Sequence, residues 1–448
     1  MAKPRNLTSG SIFQNIVYFS LPFLLSYFLQ TLYGMADLFI TGQFNTTAEI
    51  TAVSIGSQVM HMFTVMIVGL SMGTTVTIGQ AVGAGKNHRA ASVIGNSVTL
   101  FAIISIGLTA LLLFLVKPLT ALMFTPEEAV AGTISYLTIC FLGIPFITAY
   151  NLISGIFRGL GDSKTPMYFV AIACVLNILL DYLFIGAFGM GASGAALATV
   201  IAQAFSVFIS LVVMKKSRDT VSPEKSDFRL HRDSALPVLK IGVPVMFQDG
   251  FIQVAFLVIT IIVNRRGLVD AAAVGIVEKI ICFIWLVPSS MLSTVSALSA
   301  QNIGAGKPER AVKTLKYAMA VCFVFGLIVA VVCQLTSSSL VALFDRNPAV
   351  IESGSQYLKS YIMDCMFAGL HFCFSGYFCG IGKSWISFMH NTISILLIRI
   401  PGSYLLSVLF PNTLFPLGFA AMTGSFVSAL ICTGAFIILQ KKEKRQLS

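Results

Sequence analysis

Gln80-Ala-Val-Gly-Ala-Gly-Lys86 recurs later in the chain as Gln301-Asn-Ile-Gly-Ala-Gly-Lys307, at an offset of 221 residues. The same offset pairs Ala52-Val53 with Ala273-Val274 and Arg89-Ala90 with Arg310-Ala311. It also pairs Gly155, Gly159 and Gly161 with Gly376, Gly380 and Gly382. Pro22 and Pro244 pair one residue out of step. A single match would be chance, but collinear matches at one offset mark an internal duplication. The sequence therefore divides into an N-terminal copy (1–214) and a C-terminal copy (235–448). Between them, residues 215–234 hold ten charges and Pro223, which predicts a solvated, mobile linker.

Composition says what is duplicated. Of 448 residues, 56% are apolar and only 10% are charged, against about a quarter in ordinary soluble domains. Mean hydropathy is +0.88. These values exclude a soluble enzyme, a disordered chain and a disulfide scaffold, and they point to a polytopic membrane protein. Twelve apolar runs are long enough to cross a bilayer. They cover roughly 12–42, 51–82, 92–116, 131–157, 166–187, 191–214, 236–264, 271–303, 312–335, 353–380, 385–410 and 416–440. None alternates with period two, so the fold class is all-α, with six spans per copy. The first run is too long for a signal-peptide core. The nine cysteines all fall in apolar stretches without CxxC spacing, so packing is their expected role.

Six is an even number, so both copies enter the membrane in the same sense as a parallel repeat. With the N-terminus inside, 22 of the 29 Lys and Arg fall on inner connections. Four (Lys117, Arg265, Arg266 and Arg346) fall outside, and Lys279, Lys359 and Arg399 lie within helices. That asymmetry predicts a multi-pass protein of the bacterial cytoplasmic membrane with both termini cytoplasmic. It also explains the net charge of +11 without a nucleic-acid partner.

Some motifs mislead. Gly189-Met-Gly-Ala-Ser-Gly194 matches a dinucleotide fingerprint but follows a membrane span rather than a strand. The Gly-Ala-Gly-Lys loops lack the first glycine of a phosphate loop and read as helix ends running into basic inner loops. His61, His371 and His390 are isolated in apolar surroundings and read as hydrogen-bonded packing residues.

The informative residues are the ionisable ones inside spans, which cost at least ~2.5–3.5 kcal/mol at a bilayer centre and usually face an interior. The acids are Asp37, Asp181, Asp249, Glu278 and Asp364. Asn177 lies one helical turn before Asp181. Thr199 is on the next span, Asn151 on the preceding one, and Asp37 on the first. Together they offer only oxygen acceptors, which suit a hard cation such as Na⁺. A proton suits them equally, because an ionised carboxylate is costly away from water. The competing reading is a satisfied polar network that pins helices. The second copy lacks these acids: Ile259 stands for Asp37, and Ser394-Ile-Leu-Leu-Ile398 aligns with Asn177-Ile-Leu-Leu-Asp181. It holds Asp249, Glu278, Asp364 and Arg399 instead, as possible charges of a substrate cavity. Arg399 could also neutralise Asp364 or Glu278.

Arg158-Gly-Leu-Gly-Asp-Ser-Lys-Thr-Pro166, followed by Asn177-Ile-Leu-Leu-Asp-Tyr-Leu-Phe-Ile185, resembles the signature of the multidrug and toxic compound extrusion family. Ser20-Leu-Pro22 with Asp37 and the paired Gly-Ala-Gly-Lys loops are similar too, and the resemblance covers nearly the whole chain. It implies export of amphipathic organic cations in exchange for Na⁺ or H⁺, with no cofactor and a monomeric chain in the lipid bilayer. It also implies cation binding at Asp37, Asn177, Asp181 and Thr199, with Asn151 nearby. If the coupling ion is Na⁺, Asp37 and Asp181 are its charged ligands. Pro22 is the implied hinge of the first helix. The alternative is a lipid-linked oligosaccharide flippase of related architecture, whose phosphates would call for a basic cavity. An enzyme or channel has no supporting nucleophile, metal cluster or symmetric pore.

Overall fold

The computed structural model describes residues 7–216 and 221–447. Lys3, Arg5 and Arg218 of the inner-side tally lie outside them, as do residues 217–220 of the linker. Every regular element among the described residues is a helix, with no strand. Packing groups them into two units: Leu21–Met246, and Thr8–Ser20 together with Phe247 onward.

The first unit contains most of α1 (Ile12–Phe44), then α2 (Thr47–Gly83), α3 (Asn87–Leu122), α4 (Glu127–Leu142), α5 (Ile144–Gly159), α6 (Lys164–Asp181), α7 (Gly191–Lys216) and the start of α8 (Arg232–Asn264). The second contains the rest of α8, then α9 (Leu268–Gly304), α10 (Pro308–Ala342), α11 (Pro348–Tyr361), α12 (Asp364–Gly380), α13 (Ser384–Ser394), α14 (Ile400–Leu409) and α15 (Phe415–Leu447). Among the described residues, ten helical runs are long and apolar enough to cross a membrane. Counting the bent pairs α4–α5 (48°) and α11–α12 (44°) as one span each gives twelve. Several runs overshoot the bilayer: the 37 residues of α2 extend about 55 Å against a ~30 Å hydrocarbon core. Large apolar side chains stand fully outward, Phe114 at 81% and Leu335 at 82% exposed, as lipid-facing residues do.

The duplication is visible in the packing. Gly155 and Gly159 of α5 press on α2, where an added Cβ would lie 3.2 Å from the Ser71 carbonyl oxygen and 2.8 Å from that of Thr75. Gly376 and Gly380 of α12 press on α9 in the same register, 2.4 Å from the Leu292 oxygen and 2.8 Å from that of Ser296. Small residues spaced four apart let two backbones approach, which drives helix pairing where no hydrophobic effect operates. The opening motif closes two identical helix ends. Lys86 N–H donates to the Ala81 carbonyl and Gly85 N–H to Val82, just as Lys307 donates to Asn302 and Gly306 to Ile303. Gly85 and Gly306 both have φ of +68°, the left-handed cap that glycine adopts without a Cβ penalty.

The other ends of α2 and α9 carry clasps at repeat-related acids. In the first unit Glu49 accepts the Ala192 N–H at 2.5 Å, at the start of α7. Gly191 (φ +59°) must be glycine, because its Cβ would lie 2.5 Å from the Glu49 carboxylate. This explains the GxGxxG match: Gly189 and Gly191 turn the chain, and Gly194 packs on the Phe184 backbone. In the second unit Asp270 holds Arg266 at 2.8 Å. The Arg266 guanidinium then donates to the carbonyls of Ser407, Phe410, Pro411 and Thr413 at 2.9–3.1 Å, capping α14.

The linker departs from expectation over its second half, which is docked rather than free in solvent. A 3₁₀ turn at Lys225–Phe228, closed by a Glu224/Asp227 capping box, sits on α3. The Asn96 amide donates to the carbonyls of Asp227 and Arg229 and accepts from the His231 N–H. Gly95 leaves room for the Asp227 backbone. In the second unit Lys307 and Arg310 bind the carbonyls of Thr8, Ser9 and Gly10 in a comparable way.

Candidate functional site

Three spans bring the first-unit polar residues together. Asp37 lies on α1, Asn177 and Asp181 on the last turns of α6, and Thr199 on α7. Immediately after Asp181 the chain passes into a π-helical turn, Tyr182–Ala187. Such wide turns offset the side-chain register and recur at functional sites. Asp181 is fully buried, Asn177 is 2% exposed and Asp37 4%. Thr199 Oγ1 donates to Asp37 Oδ2 at 3.3 Å, and Asn177 Nδ2 donates to Thr199 Oγ1 at 3.5 Å. The Asp37 and Asp181 carboxyls face each other closely enough to interact directly. Tyr33, Ala173, Asn177, Thr199, Ala202 and Gln203 line a crevice beside the cluster.

Four oxygens in this cluster are buried without a hydrogen-bond partner among the described residues: Asp37 Oδ1, Asn177 Oδ1 and both oxygens of Asp181. Buried polar atoms are nearly always paired, so a group of this kind is short of a donor or a cation. The set fits a coupling cation or a proton, since it offers two carboxylates, an amide oxygen and a hydroxyl with no base opposite. No cluster of three His, Cys, Asp or Glu capable of holding a metal occurs among the described residues. An ion held here would depend on the neutral oxygens of Asn177 and Thr199.

Two other expected members stand apart. Asn151 is buried on α5, but its amide donates to the Ile147 carbonyl of its own helix at 2.9 Å, and among the described residues no hydrogen bond joins it to the cluster. Pro22 lies inside a continuous α1, with Ser26 donating to its carbonyl at 2.8 Å.

The second-unit charges are dispersed. Asp249 is half-buried on α8, where Gln248 Nε2 donates to it at 3.5 Å and Ser387 in turn donates to Gln248 Oε1 at 2.6 Å. Glu278 is half-buried on α9 and makes no hydrogen bond or ion pair among the described residues, while Lys279 beside it is exposed. Asp364 and Arg399, both buried, face each other at 3.7 Å. His390 is a packing residue, tied to Ser375 at 2.9 Å and Ser428 at 3.3 Å. His371 packs edge-on against its ring, whereas His61 is exposed. Eight of the cysteines are buried, and Cys282 is the exposed exception to the packing expectation.

These features describe a polytopic α-helical membrane transporter built from a duplicated set of spans. The MatE family model matches the chain twice, over residues 22–183 and again over 244–405. The chain belongs to this family, that of the multidrug and toxic compound extrusion transporters. It is 31% identical to the probable multidrug resistance protein YpnP of Bacillus subtilis, over 90% of this chain and 91% of that one. It is 24% identical to the multidrug export protein MepA of Staphylococcus aureus, over 94% and 90%. Among solved structures, an outward-facing multidrug resistance MATE transporter of the MOP superfamily shares the fold, with a TM-score of 0.91 and 22% identity over 98% and 99% of the two chains. A MOP superfamily transporter from Pyrococcus furiosus matches with a TM-score of 0.90 at 22% identity, over 98% and 99%.

Proposed function

We propose that this chain exports amphipathic, mostly cationic drugs or toxic organic compounds from the cytoplasm in exchange for Na⁺ or H⁺. The observation that carries this reading is the group of four unpartnered buried oxygens at Asp37, Asn177 and Asp181. A buried carboxylate pair needs a cation or a proton, and an ion that binds one conformation more tightly than another shifts the balance between them. Exchange then follows if the coupling ion favours one arrangement of the lobes 1–214 and 235–448 and the drug the other, in alternating access. The linker 215–234 would keep the lobes joined, and Pro22 would let α1 bend beside the cluster. The skew of Lys and Arg supports a topology with both termini on the cytoplasmic side of the bacterial inner membrane. The chain would act as a monomer and needs no cofactor.

The relatives' descriptions concern drug resistance and drug export, which favours this substrate class. A phosphate-bearing lipid is less well matched: acids outnumber bases within the spans, Lys279 is exposed, and Arg399 already faces Asp364. Asp37→Asn and Asp181→Asn should each abolish drug resistance in cells while leaving the amount of protein in the membrane unchanged. Full resistance in both variants would contradict the assignment.

A further inference from the structure

The second unit buries an acid too, in a different setting. Asp364 begins α12 at the bend of the α11–α12 pair and is 1% exposed, and neither carboxylate oxygen has a hydrogen-bond partner among the described residues. What it has is Arg399, whose Nη2 lies 3.7 Å from Oδ2. Arg399 ends a π-helical turn, Ile395–Arg399, and is itself buried. Its guanidinium lies 5.5 Å above the Trp285 ring, which Phe256 and Phe372 flank edge-on at 5.7 and 5.8 Å. Gly424 makes the space, since a Cβ there would lie 2.5 Å from Arg399 Cγ. Ser394 closes the same crossing by donating to the Gly424 carbonyl at 2.7 Å. The arginine is thus held by its own helix, an aromatic face, a missing side chain and an acid. His371, Glu278, Tyr357, Tyr361 and Cys365 are the titratable groups around the pair, and the Ser425 hydroxyl lies beside Asp364.

A carboxylate removed from water needs a compensating charge, and removing one partner of such a pair leaves the other exposed to that cost. Among the described residues of the first unit no base faces Asp37 or Asp181, and the compensating charge has to come from outside. At Asp364 the chain supplies it.

We propose that Arg399 is a tethered counter-ion, holding at Asp364 the place that a diffusible coupling cation holds at Asp37 and Asp181. The second unit therefore takes no coupling ion at Asp364, and it gains a site for one when the guanidinium is removed. This rests on the reading of Asp37 and Asp181 as the coupling site, and the test separates the two.

The test counts ions on the purified full-length protein: radiolabelled Na⁺ bound per chain at alkaline pH and, separately, protons taken up on acidification. Asp364→Asn should leave the wild-type count unchanged in both arms. Arg399→Met should raise the count by one in whichever arm the wild type binds, Arg399→Lys should not, and Arg399→Met with Asp364→Asn should return it to the wild-type value. A lower count in Asp364→Asn would overturn the proposal, because Asp364 would already hold an ion. So would an unchanged count in a monodisperse Arg399→Met protein. If Arg399→Met does not fold, the Asp364→Asn comparison decides alone. A wild type that binds nothing, with an Asp364-dependent gain in Arg399→Met, would uphold the tethered counter-ion and defeat the Asp37/Asp181 reading instead.

Discussion

Asp181 and Asp364 are equally buried, yet one faces another carboxylate and the other a guanidinium. That difference is the ground for proposing ion chemistry at the first and charge neutralisation at the second. Thr199 links the first cluster, because its hydroxyl donates to Asp37 and accepts from Asn177. Thr199→Val removes a hydrogen bond to a charged group worth roughly 1.5 kcal/mol, about ten-fold in affinity. The half-saturating coupling-ion concentration for efflux should rise by about that factor, Thr199→Ser should stay near wild type, and the melting temperatures should stay close. Asp37, Asn177, Asp181 and Thr199 were legible in the sequence because acids inside spans are costly and the 3.6-residue period puts Asn177 over Asp181. For Asn151 the sequence carries no sign that its amide donates to the Ile147 carbonyl of its own helix. The Arg399–Asp364 contact was open among several pairings, since nothing in the chain marks Gly424 as the gap that admits the arginine.

At the scale of elements, the clasps at Glu49 and Arg266 fix which helix ends are held together. Glu49 ties the start of α2 to the start of α7, the helix that carries Thr199. Glu49→Ala removes a helix N-terminal cap, a loss of about 1 kcal/mol, and should lower the melting temperature and weaken ion affinity together. Loss of stability with no change in ion affinity would confine Glu49 to a structural role. Arg266→Lys keeps the charge but loses the planar fork, leaving carbonyls of Phe410, Pro411 and Thr413 short of donors. It should destabilise the protein by about 2 kcal/mol or more, read as a lower thermal midpoint. The existence of the spans was legible from hydropathy, though helices such as α3 and α10 run several residues beyond the apolar runs at both ends, and their breaks were not equally legible. Gly143 and Pro145 mark the α4–α5 bend, whereas Tyr361-Ile-Met-Asp364 carries no glycine or proline at the other. The docked stretch at Lys225–Phe228 was missed because charge density says nothing of an acceptor and donor waiting on α3 at Asn96.

Over the whole molecule, the repeat is the feature the sequence stated most plainly, and the family model matching twice, from Pro22 and from Pro244, restates it. Duplication preserved the helix crossings and the glycine caps, where geometry leaves few substitutes. It did not preserve the buried charges: Asp37 and Asp181 have no acidic counterpart in the second copy. On the proposed function, a single copy would carry the coupling chemistry while both copies carry the architecture. The most direct test is efflux of ethidium from proteoliposomes containing the purified protein, with Na⁺ and pH gradients imposed separately. One inward gradient should drive efflux in the wild type, and Asp37→Asn and Asp181→Asn should abolish the stimulation. Efflux indifferent to both gradients, or stimulation that persists in both variants, would contradict coupling through this cluster.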